Sequence, residues 1–367
     1  MGDNWSQIYL PFSHLKTLIK EDSTKMRKDL STMDTNNTSI RFFTSKDASP
    51  SALDGERIAV IGYGNLGRPF ALNLRDSGVP QIFVGNIADD YATQATNEGF
   101  HVMGISEAVA DADIALILLP DEVIPESFSA DIAPNLRPGS AIVFASGYTL
   151  AYGLIKPPAY VDVLMLAPRM AGENARQRFL NDEGFFAYVS VEQEASGKAW
   201  QRLLGLAKFT GILKAGALQM SAQQEADIDL FIEQSMGAAL GMAILTAFTV
   251  GVDSGLPPEA MVMEMYMDGE MEMVFRSFRE IGFFKASNVH GPTALYGGYV
   301  RTMELMQTDM YDRFTKVMEH IHTGGFANDF QAERQAGYPN LTTAMEMDTG
   351  EHPISQAEAV MRGMIEG

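Results

Sequence analysis

"ERIAVIGYGNLGRPFALNLRDSG", residues 56–78, decides the fold. An apolar run at 57–61 ends in Gly62, Gly64 and Gly67, and an amphipathic helical stretch follows at once. That is a strand, a glycine turn and a helix start, with G-x-G-x-x-G spacing. The first glycine permits a tight turn, the second lets backbone approach a pyrophosphate, and the third allows helix and strand to pack closely. The helix N-terminus offers oriented N–H groups to an anion. The stretch predicts a dinucleotide-binding turn at Gly62, Tyr63, Gly64, Asn65, Leu66 and Gly67 rather than a merely structural loop.

Working outward, short apolar runs alternate with amphipathic stretches as far as about residue 166, which predicts βα units and a parallel sheet. Strands are expected at 57–61, 81–85, 114–118, 141–145 and 162–167, with a further apolar strand at 185–191. Helical periodicity takes over from about residue 195. The organisation expected is an N-terminal extension over 1–38, an α/β Rossmann domain over 39–215 and an all-α domain over 216–367.

The loop after the second strand, "VGNIADDYATQATNEGF" (84–100), is where NAD and NADP are told apart. A 2′-phosphate wants Arg or Lys, whereas free ribose hydroxyls want a carboxylate. No basic residue occurs from Gln81 to Phe100, and Asp89 and Asp90 lie in the loop. NADH is therefore expected over NADPH, with Asn86, Asp89 or Asp90 on the ribose. The alternative is that these acids only solvate the loop while Arg68 or Arg75 reaches the phosphate.

Composition narrows the function. With 27 Lys+Arg against 47 Asp+Glu, the net charge of −20 repels phosphate backbones and argues against a nucleic-acid partner. The absence of cysteine excludes disulfides, thiolate metal sites and a cysteine nucleophile, and it fits a cytoplasmic location. No apolar run is expected to approach the ~18 residues of a membrane span, so no membrane partner is expected. Residues 1–38 are polar and mixed in charge; the myristoylation-like start Met1–Ser6 is better explained by chance. Methionines cluster in "MVMEMYMDGEMEM" (261–273), a pattern that predicts adaptable packing rather than metal binding.

Two carboxylate pairs stand out in the helical half. "EADIDLFIEQ" (225–234) puts Asp229 and Glu233 four residues apart, on one helix face, and Glu264 and Asp268 repeat the spacing. Such pairs are suited to Mg²⁺, which prefers oxygen ligands. They also read as a solvated helix face. The neighbouring Leu230, Phe231 and methionines predict mostly buried surroundings.

Taken together, the chain resembles the ketol-acid reductoisomerases, or acetohydroxy acid isomeroreductases. The resemblance runs from about Arg41 to Arg334. It is carried by "RFFTSKDASPSALDGERIAVIGYGNLGRPFALNLRDSGV" (41–79), "ADIALILLPDEVIPESF" (112–128), "IAPNLRPGSAIVFASGY" (132–148) and "IKPPAYVDVLMLAP" (155–168). "EADIDLFIEQ" (225–234), "GLPPEAMVME" (255–264) and "GGFANDFQAERQAG" (324–337) extend it into the helical half. It implies a Rossmann domain followed by a knotted helical domain that binds metal and substrate. It places Pro120 and Asp121 at the cofactor, and it implies a homodimer or higher homo-oligomer acting on a small-molecule substrate. Two Mg²⁺ ions would sit on Asp229, Glu233, Glu264 and Asp268, the last a shortened substitute for Glu.

Three departures accompany the matches. Where the family has a His after "AFA", this chain has Ser146; the Lys of its "APKGPG" is Arg169; and its substrate-binding Ser falls on Gly291. Arg exchanges protons poorly and Gly makes no side-chain hydrogen bond. The expectation is a divergent reductase of a 2-oxo acid or ketol-acid-like substrate, with Asp229, Glu233, Arg169 and Ser146 in the catalytic centre and His290 a candidate acid–base group. A true reductoisomerase of 2-acetolactate, and a catalytically silent NAD-binding sensor or scaffold, are the alternatives.

Overall fold

The computed structural model describes residues 40–170, 172–287, 291–306, 308–346 and 350–366. The extension over 1–38 and His290 lie outside the described residues. The architecture below is that of the compact unit over 43–367.

Its sheet is built on β1 (Ile58–Ile61), β2 (Ile82–Gly85), β3 (His101–Met103), β4 (Ile114–Ile117), β5 (Ala141–Phe144), β6 (Asp162–Pro168), β7 (Ala187–Gln193) and β8 (Ala217–Gln219). These run side by side in the order β8-β7-β6-β5-β4-β1-β2-β3. Every pairing is parallel except β6 with β7. The order 3-2-1-4-5-6 within β1–β6 is that of a dinucleotide-binding sheet, and the crevice falls where it reverses, beyond the C-terminal ends of β1 and β4.

The strands are continuous apolar runs because both faces are covered. Ile58 and Val60 pack with Phe70 and Leu74 on one face, while Ala59 and Ile61 pack with Ala108 and Ile132 on the other. Full burial of each such Ile or Leu contributes roughly 1.5–3 kcal/mol. β6 carries a buried Asp162, which accepts from the backbone of Ala195 and Ser196 at 2.8 Å each. Arg202 completes it, with Nη1 3.1 Å from Asp162 and Nη2 3.0 Å from Glu56.

The helical half starts at Ser221, whose side chain and that of Gln224 form a capping box for helix Ala222–Ile232. A wider π turn, Glu233–Gly237, leads into Ala238–Asp253. This continuous run, Ala222–Asp253, is long and apolar enough to cross a membrane by length and composition, which overturns the expectation of no such run. Ser235, Gly237, Gly241, Thr246 and Thr249 interrupt the apolar residues without adding charge. Length and composition do not separate a membrane span from a helix that packs on another protein surface. Burial is a second correction: Met236 is 51% and Val250 59% exposed. Of the clustered methionines, Met261, Met265 and Met267 pack around Phe248, Val262 and Ala357, while Met263, Met271 and Met273 are exposed.

Candidate active site

The glycine turn has the geometry its spacing demands. Gly62 has φ +92°, and a Cβ there would lie 2.9 Å from the Leu118 carbonyl oxygen on the neighbouring strand's exit. A Cβ on Gly67 would collide with the Gly62 carbonyl oxygen, so only glycine lets helix Gly67–Asp76 start this close. Gly64, in contrast, faces open space. Leu66 at the N-cap makes no side-chain cap; in the first turn Pro69 has no N–H and Arg68 donates its own to the Gly64 carbonyl oxygen at 3.2 Å, so the helix offers a ligand chiefly the N–H of Gly67. An uncapped helix end beside an open glycine fits a pyrophosphate.

From this turn a cavity of about 670 Å³ runs across the sheet to Ser146. Gly62, Tyr63, Gly64, Asn65 and Leu66 line one end, and Pro120, Asp121 and Ser146 line the other. Asn86 and Asp89 line it as well, but the exposed Asp90 does not. Asn86 is fixed from two sides, its Oδ1 accepting from Tyr63 N–H at 3.1 Å and its Nδ2 donating to Asp89 Oδ1 at 2.8 Å. Asp89 Oδ1 also caps helix Asp90–Asn97 through Ala92 N–H at 2.9 Å. The two cations of the alternative reading are engaged elsewhere. Arg68 pairs with Glu98 and Glu173, and Arg75 lies on the Glu98 carbonyl oxygen and beside Asp76.

Beyond Ser146 the helical half closes in. A Cβ on Gly147 would strike the Ala222 backbone, so this glycine allows the helix to abut the loop. Glu225, 1% exposed, accepts from Gly147 N–H at 2.7 Å. Arg169 bridges two turns of the same helix, with Nη1 3.1 Å from Glu225 Oε1 and Nη2 2.9 Å from Asp229 Oδ1. Its guanidinium lies 5.1 Å above the Tyr188 ring, a favourable cation–π geometry.

Burial, and after it the neighbouring charges, shift these acids. Burial pushes the Glu225 carboxyl up to about 7, with the Gly147 N–H and Arg169 opposing and Asp229 adding to the rise. Burial likewise pushes Asp121 up to about 6; a hydrogen bond with Ser146 opposes it, and Glu122 and Asp229 reinforce it. Glu233 is raised by partial desolvation and then by the charge of Asp229.

The expected residues are only partly assembled. Ser146 and Asp121 share the cavity end, and Arg169 and Asp229 share an ion pair. Glu233, Glu264 and Asp268 are exposed, and Asp268 accepts from Glu270 N–H at 2.9 Å, where the next helix begins. Among the described residues, no three acids or histidines of one chain come together as a metal site. Gly291 is the exposed N-cap of helix Pro292–Leu305. Glu225 was not singled out in the sequence, although it stands one helical turn before Asp229 in the same i, i+4 series.

Fold and cavity define an NAD(P)H-dependent oxidoreductase built on a Rossmann domain with a helical companion. Residues 52–216 match the NADPH-binding domain of acetohydroxy acid isomeroreductase, and residues 223–366 match the C-terminal domain of ketol-acid reductoisomerase. The chain is 36% identical over 328 residues to the ketol-acid reductoisomerase (NADP(+)) of Pyrobaculum neutrophilum, covering 89% of this chain and 99% of that protein. It is 35% identical to the enzyme of the same name from Pyrobaculum calidifontis, with the same coverage. A solved NADH-preferring ketol-acid reductoisomerase from an uncultured archean superposes with a TM-score of 0.82 at 31% identity, covering 88% of this chain and 98% of that one. The chain belongs to the ketol-acid reductoisomerase family.

Proposed function

We propose that this family member prefers NADH and reduces a 2-oxo acid or ketol-acid-like substrate more readily than it catalyses alkyl migration. The observation that carries the reading is the Arg169 clamp on Glu225 and Asp229. A guanidinium fixed by two carboxylates is a permanent cation and a poor proton carrier. It suits the binding of a substrate carboxylate, whereas migration needs protons moved on and off the ketol oxygens. Reduction asks for less. Ser146 and Asp121 line the cavity together, and each has a hydroxyl or carboxyl able to hold a proton for the oxygen of a carbonyl bound there. A dihydronicotinamide, when held at the glycine turn, would supply the hydride.

NADH preference is supported by a cavity lined with Asp89 and with no Lys or Arg. The solved relative described as NADH-preferring agrees with it, while the curated relatives carry NADP(+) in their names.

The donor chemistry suits a hard divalent cation, which when bound would polarise the substrate carbonyl. Asp229 stands in the Arg169 ion pair, and Glu233 follows one turn later on the same helical run. In this reading a second copy brings Glu264 and Asp268, and the exposed apolar face of Ala222–Asp253 is covered by the partnership. NADH and NADPH oxidation with 2-acetolactate and with simple 2-oxo acids, with and without Mg²⁺, tests the proposal. Faster turnover of a simple 2-oxo acid is expected; efficient conversion of 2-acetolactate, faster than any simple 2-oxo acid, would make the chain a true reductoisomerase.

A further inference from the structure

The Glu98 side chain joins Tyr63, in the cavity wall, to Arg68. Tyr63, which lines the cavity, donates its phenol proton to Glu98 Oε2 at 2.5 Å. Arg68, the residue after Gly67, places Nε 2.9 Å and Nη2 2.8 Å from Glu98 Oε1. Its remaining nitrogen, Nη1, lies 3.2 Å from Glu173. Every nitrogen of the Arg68 guanidinium therefore faces a carboxylate. Arg75 is held as well, with Nη1 2.6 Å from the Glu98 carbonyl oxygen and its guanidinium 5.0 Å from the Phe100 ring.

We infer that Glu98 is a specificity residue for the dinucleotide: it holds Arg68 away from the adenosine ribose, so that a 2′-phosphate meets Asp89 and no free cation. The inference rests on the NADH-preferring reading above and extends it from the loop after β2 to the far end of helix Asp90–Asn97. Three observations support it. Arg68 follows the last glycine of the turn, next to the helix N-terminus that receives the pyrophosphate. A guanidinium released there matches phosphate geometry, since its planar fork bonds two oxygens at once. Glu98 is ionised in this setting, because the hydrogen bonds from Arg68 and Tyr63 outweigh the burial that works to raise its carboxyl. A pair that only tethered two helices would affect both cofactors alike. A specificity residue changes their ratio.

Fluorescence titration of NADH and NADPH into the full chain separates the two roles. Glu98→Gln is expected to raise the affinity ratio of NADPH to NADH by about tenfold, the worth of one charge-assisted phosphate contact. Arg68→Gln in the same chain should remove the gain. Glu173→Gln, on an exposed carboxylate, should shift the ratio less and in the same direction, and it decides the matter if Glu98→Gln does not fold. A ratio unchanged in whichever variant is measured, or a gain that survives Arg68→Gln, overturns the role of Glu98. A wild-type chain that binds NADPH more tightly overturns the NADH reading itself, which is a separate outcome.

Discussion

The two halves of this chain solve burial differently. β1 has Ile58, Val60 and Ile61 at 0% exposure, enclosed by helices of its own domain. In Ala222–Asp253, only 17% of the most apolar stretch is buried. The strands of the Rossmann half find their cover within the chain, whereas the helical half displays a long apolar surface. The first half carries the glycine turn and the whole lining of its cavity; in the second, Asp229 joins the Arg169 ion pair while Glu233, Glu264 and Asp268 are exposed.

The sharpest way to break that contrast is Gly67→Ala. The added methyl cannot fit against the Gly62 carbonyl oxygen, so the turn must open. Dinucleotide affinity should fall by about 100-fold or more, since displacing packed backbone costs several kcal/mol. Self-association, which depends on the other half, should be unchanged by light scattering. Loss of both together would show that the halves are not independent. Next in size is Leu240→Lys on the exposed helix face, where Leu240 is 41% exposed. An ammonium buried without a partner costs several kcal/mol, enough to dissociate an oligomer at micromolar concentration while leaving NADH binding in place. An unaltered sedimentation profile would place the partner surface elsewhere.

What was legible in the sequence follows the same division. The central strands announce themselves because burial on both faces demands continuous apolar residues, and Gly62 and Gly67 because no other side chain fits. β3 (His101–Met103) and β8 (Ala217–Gln219) do not, being three residues long and set by their neighbours' pairing. The antiparallel β7 was expected as a strand, but an apolar run carries no mark of its direction. In the helical half, Leu230, Phe231 and the methionines signal that an apolar face is covered, without saying whether the cover lies in the same chain. The acids were therefore expected in buried surroundings, yet Glu233, Glu264 and Asp268 are exposed. Glu225 escaped because its role depends on Gly147 and Arg169, which lie 78 and 56 residues away in sequence.

A smaller effect probes the boundary between the halves. Asp121 is held near 6 against an ordinary value of 3.8, first by burial. Its folded form thus binds a proton more tightly than the unfolded chain does. The stability this confers is complete below about pH 4 and is lost as pH rises through about 6. Asp121→Asn cannot ionise, so the stability of wild type relative to the variant should decline between about pH 4 and pH 7 and be level above that. Urea denaturation of both chains across this range, without added metal, measures it. A difference independent of pH would mean that Asp121 is solvated like a surface acid.

The smallest expected effect separates two adjacent acids that the sequence left as equals. Asp89 lines the cavity, steadies Asn86 and caps its helix, while Asp90 is exposed and lies outside the lining. Asp90→Ser should change NADH affinity by less than about twofold, because an exposed charge in water contributes little over such distances. Asp89→Ser keeps a hydroxyl able to cap the helix, so most of the cap, worth about 1 kcal/mol, survives, but it withdraws the carboxylate from the ribose. NADH affinity should then fall severalfold, by about the 1 kcal/mol or so of a lost hydrogen bond, while the melting temperature stays close to that of wild type. If Asp90→Ser weakened NADH as much as Asp89→Ser, the loop would have to close over the cofactor and bring Asp90 inward, and this part of the Rossmann half would be completed by its ligand.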